Sequence, residues 1–388
     1  MTRTTVSYSS KPDSAAVSKD LADQIKTQFE ELVPNALIVF ASPKYDYNQL
    51  LEGLKKETRA EIIVGCSSAG EFTTDEQGEG AASAMALWSN EMQFHPGFAT
   101  NVKQDPKKSA KELLNSFRGL EDEKFIFKSA LVLTDALAGY VDEMLEDLTL
   151  STGGSYRFFG GGAGDDAKFS TTHVFCDTRV ESNAVVALEI LSNKPLGIGV
   201  RHGWQPSSEA YRVTASEGMR LISLNATPAA DVFAAYAMKT NQQFDRADPV
   251  PFFLHNVLGI QSGDDHKLRV PLAVGEDGSV TCAAEISTGS IVHIMKATSA
   301  SSANAAEEAT RDAIGQLNGA APSAALFFDC VATRLRMGKE FGLEMDSLRS
   351  LLKPAKYAGC NTYGQIARSD GQFSGFHNCT AVVCIIPE

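Results

Sequence analysis

No stretch of this 388-residue chain approaches the ~20 consecutive apolar residues that a membrane-spanning helix needs, so no membrane partner is expected. Basic clusters are missing too. The formal net charge is −13, and without a concentrated cationic stripe that field repels a phosphate backbone, which argues against nucleic acid as a partner. The opening segment, Met1 to Asp20, is polar where a secretory signal is apolar, and the expectation is a cytoplasmic protein. No two of the seven cysteines have the spacing of a zinc knuckle or redox pair, and His-Glu-x-x-His is absent, so a structural metal site has no support. Cys66, Cys176, Cys282, Cys330, Cys360, Cys379 and Cys384 mostly lie inside apolar, strand-like runs, as reduced core thiols do.

What is present is an ordinary globular composition, 43% hydrophobic and 21% charged, in a chain too long for one common-sized core. Two modules are expected, residues 1–215 and 216–388. Helical spacing from Ser18 to Leu32 is followed by a buried strand at Asn35 to Ala41, and a helix at Asn48 to Thr58 by a strand at Glu61 to Cys66. Further strands are read at Gly80 to Ser89, Met92 to Thr100 and Ser129 to Thr134. His173 to Asp177, Ala184 to Leu191 and Gly197 to His202 resemble successive strands of an antiparallel meander. In the second half Ser302 to Leu317 and Glu340 to Leu352 are helices, and Ala324 to Cys330, Lys356 to Cys360 and Thr380 to Ile386 are strands. The fold class expected is α+β, with two related modules of mixed, largely antiparallel sheets flanked by helices. An internal echo marks either a distant duplication or a chance similarity of two strand-to-turn junctions. Val64-Gly65-Cys66-Ser67-Ser68-Ala69-Gly70-Glu71-Phe72 and Ala358-Gly359-Cys360-Asn361-Thr362-Tyr363-Gly364-Gln365-Ile366 share strand, Gly-Cys, small polar pair, Gly and Glu or Gln.

Catalytic templates fit poorly. Cys66-Ser67-Ser68-Ala69-Gly70 has cysteine where a nucleophile elbow needs glycine, so an enzyme with Cys66 or Ser68 as nucleophile is the alternative reading, with His202 or His377 as base. Gly160-Gly161-Gly162-Ala163-Gly164-Asp165 matches neither the dinucleotide nor the phosphate-loop fingerprint. Such a run lets backbone amides at Gly161 approach a ligand whose amine Asp165 binds, or it is a tight connection that Asp165 caps. Cys66, Ser67 and Ser68 offer a thiol and two hydroxyls at a strand end, where open α/β sheets bind ligands, or form an ordinary polar turn. His202 and His377 lie at glycine-flanked strand ends. His255, inside Pro251-Phe252-Phe253-Leu254-His255-Asn256-Val257-Leu258, is either a core histidine or a haem-iron ligand covered by those apolar neighbours.

Four blocks taken in order, Val64 to Phe72, Phe159 to Asp166, Gly199 to Thr214, and Phe328 through Arg334 with Gly359 to Ile366 and His377-Asn378, resemble the FIST family of bacterial sensory proteins. The resemblance covers nearly the whole chain and implies a FIST N-type and a FIST C-type module. It implies a small-ligand sensor, not an enzyme, that signals through a separate partner such as a histidine kinase. Amino-acid-like metabolites are the candidate ligands, or haem with nitric oxide as in NosP-type members. Residues of the matching blocks, Glu71, Trp204, Tyr363, Gln365 and Asn378, join the candidate ligand-binding set. Gln365 stands where the family usually has glutamate.

Overall fold

Helix starts are fixed locally. Asp13, Asp46 and Asp105 each accept the amide three residues on, from Ala16, Gln49 and Lys108, and so begin the helices Ser14–Phe29, Tyr47–Thr58 and Pro106–Leu114. Thr298 and Ser301 form a reciprocal capping box for Ser299–Gly315. A computed structural model describes residues 1–368 and 374–388, and the architecture is α+β, with mixed and largely antiparallel sheets flanked by helices.

Three of its sheets share one strand plan. In the first, Thr2–Ser9, Ala82–Ser89, Ala36–Ala41, Ile62–Ser67, Val174–Cys176 and Arg179–Glu181 lie side by side, antiparallel except for the central pair Ala36–Ala41 and Ile62–Ser67. The second repeats the plan with Gln93–Thr100, Ala184–Ser192, Phe127–Thr134, Tyr156–Gly162, Gln365–Arg368 and Ser374–His377. In the third the order is Gly197–Arg201, Ala381–Pro387, Pro322–Cys330, Lys356–Thr362, Glu71–Thr73 and Gln77–Gly78. The outer hairpin of each sheet comes from another unit: the first unit lends its hairpin to the third sheet, the third to the second, and the second to the first. The echo read in the sequence therefore extends to a third copy, and the two halves of the chain are interleaved.

The sheets turn apolar faces inward onto one core that includes Ile38, Phe40, Val64, Leu131, Leu133, Phe159, Leu326, Phe328 and Ile386. Each outer face carries two helices with a core of its own: Ser14–Phe29 with Tyr47–Thr58, Pro106–Leu114 with Val141–Ser151, and Ser299–Gly315 with Gly342–Leu352. A fourth, nine-stranded sheet is built from residues between Gln205 and Lys296 and interrupts the third unit before its first helix.

One expectation needs correction. Val174–Cys176, Ala184–Ser192 and Gly197–Arg201 are strands, yet they belong to three different sheets rather than one meander. Alternation of apolar residues reports which face of a strand is buried and carries no information on its neighbour. The N-terminal polar segment forms the edge strand Thr2–Ser9, whose residues pair with Ser89 back to Ala82.

One position explains the shared Gly-Cys and Gly-Gly blocks. Gly65, Gly160 and Gly359 sit opposite Val39, Val132 and Phe327 in the three parallel pairs. A Cβ there would lie 2.0, 2.1 and 1.9 Å from the carbonyl oxygens of those partners, inside any allowed contact with backbone that cannot swing away. Gly359→Ala is therefore expected to destabilise the fold by about 3 kcal/mol, seen as a lowered chemical-unfolding midpoint. Gly315→Ala, where a Cβ meets nothing within 4 Å, is the control and should be neutral or slightly stabilising. Equal midpoints for the two variants would refute the close-approach explanation.

Candidate functional site

The C-terminal ends of the parallel strands meet where the three units join. Ala69 N donates to Asn361 O at 3.0 Å, Tyr363 N to Gly162 O at 2.9 Å, and Gly164 N to Ser67 O at 2.9 Å. Donors and acceptors occupy equivalent positions in the three copies, so the bonds close a ring. Cys66, Ser67, Ser68, Glu71, Gly161, Asp165, Tyr363 and Gln365 are all brought to this junction.

Several of them are consumed by it. The glycine cluster is close-packed: a Cβ on Gly161 would lie 2.9 Å from the Thr362 methyl, and one on Gly162 2.5 Å from Ala136 Cβ. This is the tight connection rather than an open cradle. The Cys66 side chain belongs to the central core, as does Cys360. Ser67 Oγ exchanges hydrogen bonds with the His173 backbone, accepting from its amide at 2.9 Å. One oxygen of Asp165 accepts from the Tyr363 hydroxyl and from the Phe169 amide at 2.8 Å; the other accepts from the Ser170 amide, the Ser170 hydroxyl and the Thr171 amide. Burial pushes the Asp165 carboxyl up, but the Tyr363 hydroxyl and these amides outweigh it and hold the pKa below the usual range. Asp165 caps its loop.

Glu71 and Gln365 occupy matching places. The Gln365 amide donates to Thr362 Oγ1 at 2.8 Å and accepts from Thr380 N at 3.2 Å. The Glu71 carboxyl has its Oε1 2.5 Å from Ser68 Oγ, and its Oε2 accepts from Ala81 N at 3.0 Å. Burial raises the Glu71 pKa to about 8, against the pull of Ser68, the Ala81 amide and Arg334. At neutral pH the carboxyl is mostly uncharged and copies the glutamine of the third unit. Glutamine at 365 thus has the same bonding pattern as the neutral carboxyl at 71.

Beside Glu71 opens a cavity of about 380 Å³, lined also by Gln77, Glu79, Arg334, Lys339 and Asn361. Arg334, on the short helix Val331–Met337, forms an ion pair with Glu79 through Nη1, while its Nε is buried with no partner among the described residues. Asn361 Nδ2 is likewise buried, with no partner among the described residues. Both side chains border Gly70, where an added Cβ would lie 2.7 Å from Asn361 Oδ1 and 3.4 Å from Arg334 Nε. Neither residue stood out in the sequence. Their only signal was membership of the blocks that end at Arg334 and begin at Gly359.

The remaining candidates lie away from this cavity. His202 Nε2 sits 2.9 Å from the His266 carbonyl and Nδ1 accepts from Trp204 N at 3.3 Å, a pattern that puts the ring proton on Nε2. Trp204 is buried among Val257, Leu268, Met295, Cys330 and Cys379, with the Arg336 guanidinium 5.2 Å from its ring centre. His377 pairs with Gln365 across a hairpin, and burial pulls its pKa down to about 3. Asn378 lines a separate apolar cavity. His255 is exposed, and the neighbours expected to cover a macrocycle are engaged elsewhere: Phe252 and Phe253 pack against Phe233 and Phe244, and Leu258 joins the same core. The surroundings of His255 do not fit a haem.

Comparison with known proteins adds the family. A FIST N domain matches residues 35–227 and a FIST C domain residues 229–368. The chain belongs to the FIST family. FIST domains are small-ligand sensor domains, which supports a sensory role for this chain. No curated protein matches the sequence. Among solved structures, a cyanuric acid hydrolase from A. caulinodans is 9% identical over 100% of this chain and 99% of that one, with a TM-score of 0.33. A second cyanuric acid hydrolase structure is 11% identical over the whole of both chains, also at 0.33. Likeness at that level carries no argument. Among the described residues of this FIST protein, no helix is long and apolar enough to cross a membrane.

The Glu71 carboxyl gives a signed pH dependence. Its folded pKa of about 8 lies above the ordinary value of 4.5, so the folded state binds the extra proton between those limits. Below pH 4.5 the group is neutral in both states and contributes nothing; as pH rises through the window, stability falls and stays lower above pH 8. Glu71→Gln keeps both hydrogen bonds, so the variant should melt above the wild type at pH 9 and match it near pH 4.5. Melting curves of the two proteins that run parallel across this range would rule out the neutral carboxyl.

Proposed function

We propose that this FIST protein senses a small carboxylate ligand of the amino-acid type, bound in the cavity between Arg334 and Asn361, and passes the signal to a separate partner protein. The observation that carries this reading is that two residues lining one cavity, Arg334 and Asn361, each carry a buried donor, Nε and Nδ2, with no partner among the described residues. An unmet buried donor costs about 1–3 kcal/mol, and a ligand oxygen that accepts from it removes that cost. A carboxylate accepts from both, and the guanidinium, oriented by Glu79, adds charge. Glu79 at the rim is placed to meet an ammonium group. Gly70 keeps the space open.

The enzyme alternative has less support. A serine or cysteine nucleophile needs a base that takes its proton. Ser68 is hydrogen-bonded to a carboxyl that holds its own proton at neutral pH, and Cys66 is a core residue.

Isothermal titration with a panel of α-amino acids and short dicarboxylates tests the reading. The panel should contain a binder whose affinity falls at least about tenfold in Arg334→Gln, the loss of one charge-assisted hydrogen bond. Asn361→Asp, which sets a second carboxylate against the ligand's own, should abolish it, with melting temperatures of both variants near that of the wild type. Absence of heat from every member of the panel would remove the carboxylate reading.

A further inference from the structure

Most exposed large apolar side chains are scattered, but Leu137, Phe169 and Met219 stand around one opening. It leads to a cavity of about 140 Å³ between the three-unit body, which contributes Tyr363 and Val331, and the inserted sheet, which contributes Leu272 and Cys282. This cavity does not share the Arg334–Asn361 site. Among the described residues no charged side chain lines it; the hydrogen-bonding side chains there are Thr281, Asn378 and Tyr363, and the Tyr363 hydroxyl is taken by Asp165.

The chain holds Phe169 at the mouth by force. Asp166, Ala167 and Phe169 have φ of 54°, 60° and 52°, a left-handed conformation that non-glycine residues avoid. The Asp165 carboxylate fixes this loop through the amides of Phe169, Ser170 and Thr171. As a result the Phe169 ring stacks on Tyr363, with centres 4.3 Å apart and planes 13° from parallel, while 45% of the residue remains exposed. Aromatic surface held in water at the entrance of an apolar cavity is surface that an apolar ligand would cover. An apolar cavity of ~150 Å³ stays dry and takes a molecule as large as benzene.

We propose that this cavity is a second ligand site, specific for a small neutral aromatic or short-chain apolar compound between benzene and indole in size, with Phe169 and Tyr363 as its stacking wall. The site stands whether or not carboxylates bind beside Arg334.

Saturation-transfer NMR with benzene, toluene and indole as probes tests it on the full chain. Wild-type protein should give transfer to at least one probe. Ala332→Leu and Ala283→Leu, which each fill the cavity, should abolish it while the melting temperature holds or rises. Two variants are used so that a folding failure in one leaves the other decisive. No transfer from the wild type to any probe overturns the site, and so does undiminished transfer in a folded filled variant. If the mouth receives an apolar side chain of another protein copy, sedimentation will show concentration-dependent association that Phe169→Ser removes, with no probe signal; that result also overturns the small-ligand assignment.

Discussion

Everything at the centre of this molecule hangs on three backbone hydrogen bonds, from Ala69 to Asn361, Tyr363 to Gly162 and Gly164 to Ser67. Each joins the strand end of one unit to that of the next, and three units are the number that closes the ring. A backbone bond at a crowded junction demands small residues around it. The glycines and short polar side chains that fill the matching blocks follow from that demand, as does the burial of residues such as Ser67, Ser68 and Thr362. The exchanged hairpins tie each sheet to a neighbouring unit, so the ring is braced by strand pairing as well.

Pseudo-symmetry also explains a missing charge. Glu71 and Gln365 receive the same pair of partners, a hydroxyl three residues before them and the amide that precedes the last strand of their unit. Desolvation disfavours an ionised carboxylate there, and a neutral carboxyl bonds as glutamine does. The two proposed ligand sites lie where the symmetry is broken. Arg334 lines one cavity and Phe169 the other.

Part of this was legible in the residues. The periodicity from Ser18 to Leu32 and in Ser302 to Leu317 marked helices that the structure contains, because one apolar stripe must face a sheet. The Gly-Cys echo marked two of the three equivalent strand ends. The second copy escaped because its strand end reads Gly160-Gly161-Gly162, which looks like a ligand loop. The strand Thr2–Ser9 was passed over since its alternation is carried by threonine and serine, residues that also fill loops.

The amino-acid sequence by itself determined the α+β class, the kinds of element, the family and the absence of a cysteine framework, since each follows from local pattern, composition or ordered motifs. Strand partners were decided only by the tertiary structure. A hairpin such as Glu71 to Gly78 pairs across hundreds of residues with Lys356–Thr362, and alternation along a strand is blind to that choice. The same holds for the candidate sites: Arg334 and Asn361 become a pair of unmet donors, and Phe169 a ring on Tyr363, only when separate units close on one another and exclude water from the groups between them.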